Sequence, residues 1–559
     1  MKFNTTKSKA FSVLLSTGSL ISSAVAQSNL NLQSTFQNDN HKSIAFFAVI
    51  GGASHYNWVL NIGDELGLRG HNFTFLTSDD DMRFGKPYQH VQTVSTGPGV
   101  DWDPAEIFND ESKELTSKNP ALFMSQVMDM MFTNYERDYE FTRQFFIDNQ
   151  IDIALCDHFA DVCVDAATNL SIPYIVTAAL DTTKDTSAPY INNEITSMNF
   201  PTTETQSFVN RFCNKFINPI MNIRAILPVI KKIQARKIAV GLEAKLEDPS
   251  SKWRHSIKLS NSVFGFTPAR PLGPMAEFVG PIIPRQYKPL TGELETYLNA
   301  HERVAYVAFG HAATPSERDI QLILTGLLES IERGDLDGFI WATVHAAGRF
   351  PDSITTSSGT VYSVQDMFDH VNPHTRMVKW APQTAILHHP STALFVSHGG
   401  LGSWYESMYS GTRMVVFPFF GDQLGNAIIV ETSKLGGILK NEHSIEEAVE
   451  LFRKVIVDET GEIADGVKRM QALAQIHSRH GVIRGADIVE EVAYTNKNGR
   501  LPHRESADHR MSYFKSHNLD LYSALALIVS FSLWVIVVLG TKGYNLIGKS
   551  LTTKKVKKL

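Results

Sequence analysis

Residues 380–426, WAPQTAILHHPSTALFVSHGGLGSWYESMYSGTRMVVFPFFGDQLGN, hold the densest set of side chains in the sequence able to bind a charged, hydroxyl-rich ligand. An apolar strand, ALFVS, runs into His398, Gly399 and Gly400, and a helix-forming stretch ending at Gly411 comes next. Glycines let a ligand approach the backbone. The first N–H groups of the helix and the positive end of its dipole then form an anion site suited to a diphosphate. One turn on, Glu406 offers a carboxylate to vicinal ribose hydroxyls, and after the next strand Asp422, Gln423 and Asn426 offer the acceptors and donors a sugar needs. Upstream, Trp380 is a flat partner for a base. A glycine turn alone is common in α/β folds; the spacing of the whole ensemble carries the reading.

These residues need strands to hold them. SIAFFAVIGG (43–52) is an uninterrupted apolar strand ending in glycines, followed by an amphipathic helix and a second strand, GHNFTFLT (70–77). IDIALCD (151–157) and IPYIVTAAL (172–180) continue the pattern. Apolar runs without alternation mean strands buried on both faces, as in a parallel sheet wrapped by helices. The pattern restarts with VAYVAFG (304–310) and continues through GFIWATV (338–344), TRMVKWA (375–381), TALFVSHGG (392–400) and TRMVVFPFF (412–420). Two α/β, Rossmann-like doubly wound domains are therefore expected, over 43–285 and 286–496, joined by a Pro/Gly-rich linker at 268–290. Ligands of such sheets bind at the carboxyl ends of the strands.

Together, W-x-P-Q (380–383), H-G-G (398–400), Glu406, G-x-x-M (411–414) and D-Q-x-x-N (422–426) resemble the signature of the UDP-glycosyltransferases, which include microsomal glucuronosyltransferases and plant glucosyltransferases. The resemblance runs over most of the chain. It implies a type B glycosyltransferase fold in which Trp380 stacks on uracil and Gln383 contacts the uridine. His398 and the turn after it would meet the phosphates, Glu406 the ribose, and Asp422 and Gln423 the sugar. It places the general base at His55 and the carboxylate that orients it at Asp157. A neutral imidazole, available near pH 6.5, takes the proton of an attacking hydroxyl. The implied reaction inverts the anomeric carbon and needs no metal and no cofactor. UDP-glucose or UDP-glucuronate is the expected co-substrate, and a lipophilic hydroxyl compound the acceptor. Two positions depart from the pattern. Gly402 stands where the family has asparagine, with Ser403 beside it to replace a phosphate contact, and His311 stands where a serine faces the phosphates. These departures raise a rival reading, a nonenzymatic nucleotide-sugar-binding membrane subunit, against which the intact His55 and Asp157 weigh.

At 559 residues, with 43% hydrophobic and 20% charged residues, the chain reads as globular and multidomain. A net charge of −6 without an arginine-rich tract offers no footprint for nucleic acid. Lys2, Lys7 and Lys9, an apolar run and Ala24-Val25-Ala26 read as a signal peptide over 1–26. Residues 521–540 hold no charge and would span roughly 30 Å as a helix, so a transmembrane segment succeeds a juxtamembrane stretch at 497–520. The lysine-rich tail, 541–559, is then cytosolic. Its KVKKL ending resembles a dilysine signal, so the expectation is a single-pass type I protein of the endoplasmic reticulum membrane, its bulk lumenal and a homo-oligomer compatible with it. Asn72 and Asn169 lie in glycosylation sequons. Three cysteines, Cys156, Cys163 and Cys213, allow at most one disulfide. Residues 207–241 are apolar and basic, suited to a membrane surface or to the solvated side of packed helices. The D-x-D pairs Asp79/Asp81, Asp101/Asp103 and Asp335/Asp337 lack the company that metal-dependent transferases give them.

Overall fold

The computed structural model describes residues 35–36, 40–100, 119–178, 184–192, 201–243, 249–284, 286–310, 313–344, 346 and 348–556. The expected signal peptide, Asp101/Asp103, His311 and the last residues of the basic tail lie outside them.

The first sheet has seven parallel strands in the order β3-β2-β1-β4-β5-β6-β7. They are β1 (Ser43–Phe47), β2 (Asn72–Thr77), β3 (Val91–Ser95), β4 (Ile153–Asp157), β5 (Tyr174–Ala178), β6 (Ile257–Ser260) and β7 (Ala276–Phe278). The second has six parallel strands, β12-β9-β8-β13-β14-β15, drawn from β8 (Val304–Ala308), β9 (Gly338–Ala342), β12 (Thr375–Val378), β13 (Thr392–Ser397), β14 (Arg413–Val416) and β15 (Gly436–Ile438). A small antiparallel hairpin, β10 (Ser353–Thr355) and β11 (Val361–Ser363), stands beside it. Every residue of β4 and β8 is buried, as uninterrupted apolar runs require of strands covered on both faces. In each sheet the order reverses next to the first strand, which opens a crevice at the carboxyl ends.

The helices that shape the crevice and its surroundings are α1 (Ala53–Leu68), α2 (Asp161–Asn169), α3 (Asn218–Ala239), α4 (Leu401–Ser410), α5 (Gln423–Thr432) and α6 (Gly481–Thr495). The expected linker, 268–290, is part of the first sheet instead: β7 forms inside it and extends β6. The expected C-terminal unit, 286–496, also differs in its last helix. The apolar residues of α6, Ala486, Ile488, Val489 and Val492, are buried in the core of the first sheet with Val59, Ile62 and Leu66 of α1. Gly485 makes that crossing possible, because a Cβ there would stand 2.4 Å from Cδ1 of Ile62. Beyond α6, the expected juxtamembrane stretch runs along the first domain: Arg504 pairs with Glu491 at 2.5 Å and Glu277 at 2.8 Å. The chain ends in α7 (Leu519–Val556), in which Leu519–Ile547 is long and apolar enough to cross a bilayer.

Gly485→Val overpacks this crossing and should lower stability by about 1–3 kcal/mol. Denaturant or thermal unfolding of the detergent-solubilised chain will show it as a lower midpoint.

Candidate functional site

Pairing β1 with β4 puts Phe47 beside Cys156, so the turn after β1 meets the end of β4. After β1 the chain turns through Gly51 and Gly52, at φ of 108° and 63°, backbone angles that favour glycine. Gly51 is needed for room as well, since a Cβ would lie 2.3 Å from the ring of His55. His55 then sits in the first turn of α1, and its Nδ1 lies 2.9 Å from Oδ2 of Asp157, the last residue of β4. The other carboxylate oxygen, Oδ1, accepts the N–H of Phe159 at 3.0 Å. A disulfide between Cys156 and Cys163 closes the loop that carries Asp157; Cys213 is the free cysteine.

Sequence reasoning missed the two residues that hold the imidazole's face. His55 stacks on His158 and on Phe159, with ring centroids 5.0 Å away in each case. Both come directly after the expected carboxylate, which was the available signal. Burial works against charge on His55, but the charge and hydrogen bond of Asp157, and then the charge of Asp422, outweigh it and raise its pKa above 6.5. Burial likewise works against ionising Asp157, yet His55 and His158 hold its carboxyl far below the ordinary range. Oδ2 thus fixes the tautomer: Nδ1 carries the proton and Nε2 is left to accept one.

The second sheet supplies the other wall. Register pairs Ser397 of β13 with Ala308 of β8 and Val416 of β14, so the turns after these three strands share one edge. Gly399, at φ 81°, and Gly400 admit no side chain: a Cβ would meet Val416 at 2.6 Å and His398 Nε2 at 2.3 Å, respectively. Behind this turn α4 starts at Leu401, capped by Gly400 without a side-chain hydrogen bond, which leaves its first N–H groups without a side-chain acceptor. Glu406 is held from two sides, by Gln383 Nε2 at 2.6 Å and Thr384 Oγ1 at 3.0 Å. Gln383 also donates to Ser403 Oγ at 3.1 Å. Burial raises the Glu406 carboxyl against these hydrogen bonds. Thr384 had not been singled out; its place beside Gln383 is the only signal of its role. Trp380 is 65% exposed, so its ring is open at the surface rather than packed in the core.

The three polar residues after β14 divide. Asp422 faces the first domain closely enough for its charge to act on His55, and burial raises its own carboxyl. Gln423 turns inward, its Oε1 accepting from the N–H groups of Phe419 at 2.8 Å and Phe420 at 3.2 Å. Asn426 donates to Gly399 O at 3.0 Å and Asp422 Oδ2 at 2.8 Å, so it ties the glycine turn to Asp422. The walls touch directly: Tyr405 of α4 donates its hydroxyl to Asn261 O, beyond β6, at 2.6 Å.

His55, Asp157 and His158 are the one group among the described residues whose ligand atoms converge as a metal's would, within 4.8 Å. A cation there would replace the His55–Asp157 hydrogen bond. Asp79 and Asp81 are engaged by Ser95 at 2.5 Å and Tyr56 at 2.9 Å, and Asp337 by the N–H groups of Glu302 at 2.8 Å and Arg303 at 2.9 Å. Both sequon asparagines are exposed, and Asn169 borders a hollow of about 390 Å³ that shares no residue with this site.

Over residues 49–558 the chain matches the family described as UDP-glucoronosyl and UDP-glucosyl transferase. A UDP-glycosyltransferase of Talaromyces amestolkiae is 29% identical over 490 residues, 83% of this chain and 90% of that protein. Human UDP-glucuronosyltransferase 1A9 is 24% identical over 526 residues, 90% and 93% of the two chains. Among solved structures, a glycotransferase of kitacinnamycin superposes with a TM-score of 0.57 at 16% identity, over 81% of this chain and 99% of that one. A UDP-glucosyltransferase from Polygonum tinctorium superposes with a TM-score of 0.53 at 15% identity, over 82% and 99%. Such likeness shows the type B glycosyltransferase fold.

Two substitutions test this geometry. Asp157→Asn removes the main cause that raises His55 and leaves the charge of Asp422, so the acid limb of the kcat/KM profile should move to lower pH than in the parent while kcat falls by about 10²–10⁴-fold. At Gly402 a Cβ would meet nothing within 4 Å. Gly402→Asn should therefore fold normally and add a phosphate contact, lowering the donor KM severalfold with kcat unchanged, as initial rates at varied donor concentration will read.

Proposed function

The chain belongs to the UDP-glucoronosyl and UDP-glucosyl transferase family, an enzyme family that transfers sugar from a UDP-sugar, and from that premise we propose that it inverts the anomeric carbon of a hexosyl or hexuronosyl donor while glycosylating a hydroxyl of a lipophilic small molecule. The observation that carries this reading is the 2.9 Å bond between His55 Nδ1 and Asp157 Oδ2, at the carboxyl ends of β1 and β4 and within electrostatic reach of Asp422. His55 Nε2 takes the acceptor's hydroxyl proton as the oxygen attacks the anomeric carbon. The bond from that carbon to the diphosphate breaks, and UDP leaves with the electron pair. Attack from the side opposite the leaving group inverts the centre. Asp157 and Asp422 stabilise the imidazolium that forms.

UDP-glucose or UDP-glucuronate is the co-substrate in this proposal. Its uracil lies on Trp380, its ribose meets Glu406, and its diphosphate lies at Gly399, Gly400, Ser403 and the start of α4. Asp422 faces the sugar, His398 meets the phosphates beside the glycine turn, and His311 completes the phosphate side. The intact His–Asp pair favours an enzyme over a passive binding subunit. We further propose that α7 anchors the protein in the endoplasmic reticulum membrane as a single-pass type I protein after removal of residues 1–26. Both domains are then lumenal and Asn72 and Asn169 are open to glycosylation. The disulfide fits an oxidising compartment.

Membranes containing the chain, offered UDP-glucose, UDP-glucuronate or UDP-xylose with phenols and sterols, should consume one of the first two donors and form the inverted glycoside. His55→Ala should lower kcat by about 10²–10⁴-fold. A His55→Ala variant that turns over like the parent, or no donor consumed by the parent, would refute the mechanism.

A further inference from the structure

Beside the His55–Asp157 pair stands a nitrogen that the proposed reaction does not use. His158 Nδ1 is buried without a hydrogen-bond partner among the described residues. It lies 3.7 Å from Asp157 Oδ2, too far for a hydrogen bond. A buried polar atom left unpaired is rare enough in a folded chain to need an explanation. The backbone holds His158 in place, its N–H donating to Thr177 O at 3.0 Å. Its ring lies against that of His55, with centroids 5.0 Å apart and planes at 16°.

The chemistry of this corner identifies a ligand. His55 Nδ1 is 2.9 Å and His158 Nδ1 3.7 Å from Asp157 Oδ2, and one ligand atom from each of the three residues falls within 4.8 Å of the others. Around a tetrahedral zinc ion with bonds of about 2.0–2.2 Å, ligand atoms stand roughly 3.3–3.5 Å apart. Because the two rings are nearly parallel, closing on an ion takes a turn of His158 about its Cβ–Cγ bond, and that turn breaks no hydrogen bond of its ring among the described residues. Two imidazoles and one carboxylate suit zinc, whereas magnesium and calcium take shells of oxygen. Asp157 is already oriented for the task, since its Oδ1 accepts the Phe159 N–H at 3.0 Å, as the outer partners of metal-binding carboxylates do. The carboxylate of Asp422 acts on both imidazoles, so two negative charges meet the two positive charges of the ion.

We propose that His55, Asp157 and His158 form an inhibitory zinc site, at which the metal takes the place of the hydrogen bond that orients the proton acceptor. As zinc binds His55 Nδ1, the proton there passes through solvent to Nε2, so that none is gained or lost overall. Nε2 then carries a hydrogen and cannot accept another. Binding stands on the three ligands alone, whereas the loss of activity rests on His55 as the proton acceptor proposed above.

The test uses the full chain in detergent, stripped of metal with a chelator and then dialysed. Zinc chloride is titrated in a calorimeter and, separately, into initial-rate assays with UDP-glucose or UDP-glucuronate and a phenol. The parent should bind one zinc ion more than His158→Phe, which keeps a flat ring against His55 but offers no nitrogen. Zinc should inhibit the parent without competing with the donor, a chelator should restore the rate, and magnesium chloride should do neither. In His158→Phe the zinc concentration that halves that variant's own metal-free rate should rise at least tenfold. His158→Gln is measured beside it, and an unchanged unfolding midpoint identifies the variant that has folded and is to be compared. Equal zinc binding by the parent and the folded variant overturns the site, as does inhibition that the donor relieves, which would put the metal on the diphosphate. Zinc held by these ligands with the rate unchanged overturns the inhibition, and with it His55 as proton acceptor, while the site itself stands.

Discussion

A buried hydrogen bond between an imidazole and a carboxylate constrains this molecule more than any other contact. Asp157 sits where a bare carboxylate would be costly, and its oxygens are satisfied by His55 on one side and the Phe159 N–H on the other. That requires β1 and β4 to be neighbours with their carboxyl ends level, a glycine without a Cβ at 51, and a loop after β4 that returns His158 and Phe159 against the ring. The disulfide from Cys156 to Cys163 pins the loop at both ends. The fold and this pair rest on the same few residues, so little of this corner can vary without loss of the His55–Asp157 hydrogen bond.

The facing wall is organised by a different principle, the satisfaction of polar groups before any ligand arrives. Gln383 and Thr384 hold both oxygens of Glu406, and Asn426 ties Asp422 to the glycine turn. A ligand at this wall would meet acceptors already oriented, and the ordering cost falls on folding rather than on binding. The two walls are joined by the Tyr405–Asn261 hydrogen bond, and the charge of Asp422 on one acts on His55 of the other. Asp422 thus belongs to both walls, tied to the glycine turn through Asn426 and acting on His55 by its charge.

Strands buried on both faces were legible in the sequence because uninterrupted runs such as SIAFF and IALCD leave no other reading. β3 was missed because it is a half-exposed edge strand, VQTVS, and β6 because IKLS carries a lysine that is nonetheless buried at 2% exposure. β7, three residues among prolines, read as linker. At the site, the residue types that do chemistry stood out, whereas their supports did not. The stacking of His158 and Phe159 on His55 joins residues a hundred positions apart, and no local periodicity encodes it. The inward turns of Gln423 and Asn426 were equally invisible, since an amide reads the same whether it faces a ligand or binds backbone N–H and carbonyl groups. The destination of α6 was ambiguous for a related reason: an apolar stripe says that a helix packs, not on which sheet.

That last helix sets the order in which the protein can be finished. Ile62 lies in the core that α6 completes, and its neighbour across the crossing, Gly485, comes 485 − 62 = 423 residues later. At about 5–20 residues per second of synthesis, the first domain waits roughly 20–85 s with one face of its core uncovered. Throughout that interval the growing chain presents Val59, Ile62 and Leu66 to whatever surrounds it. The first domain, although synthesised first, is the last to close.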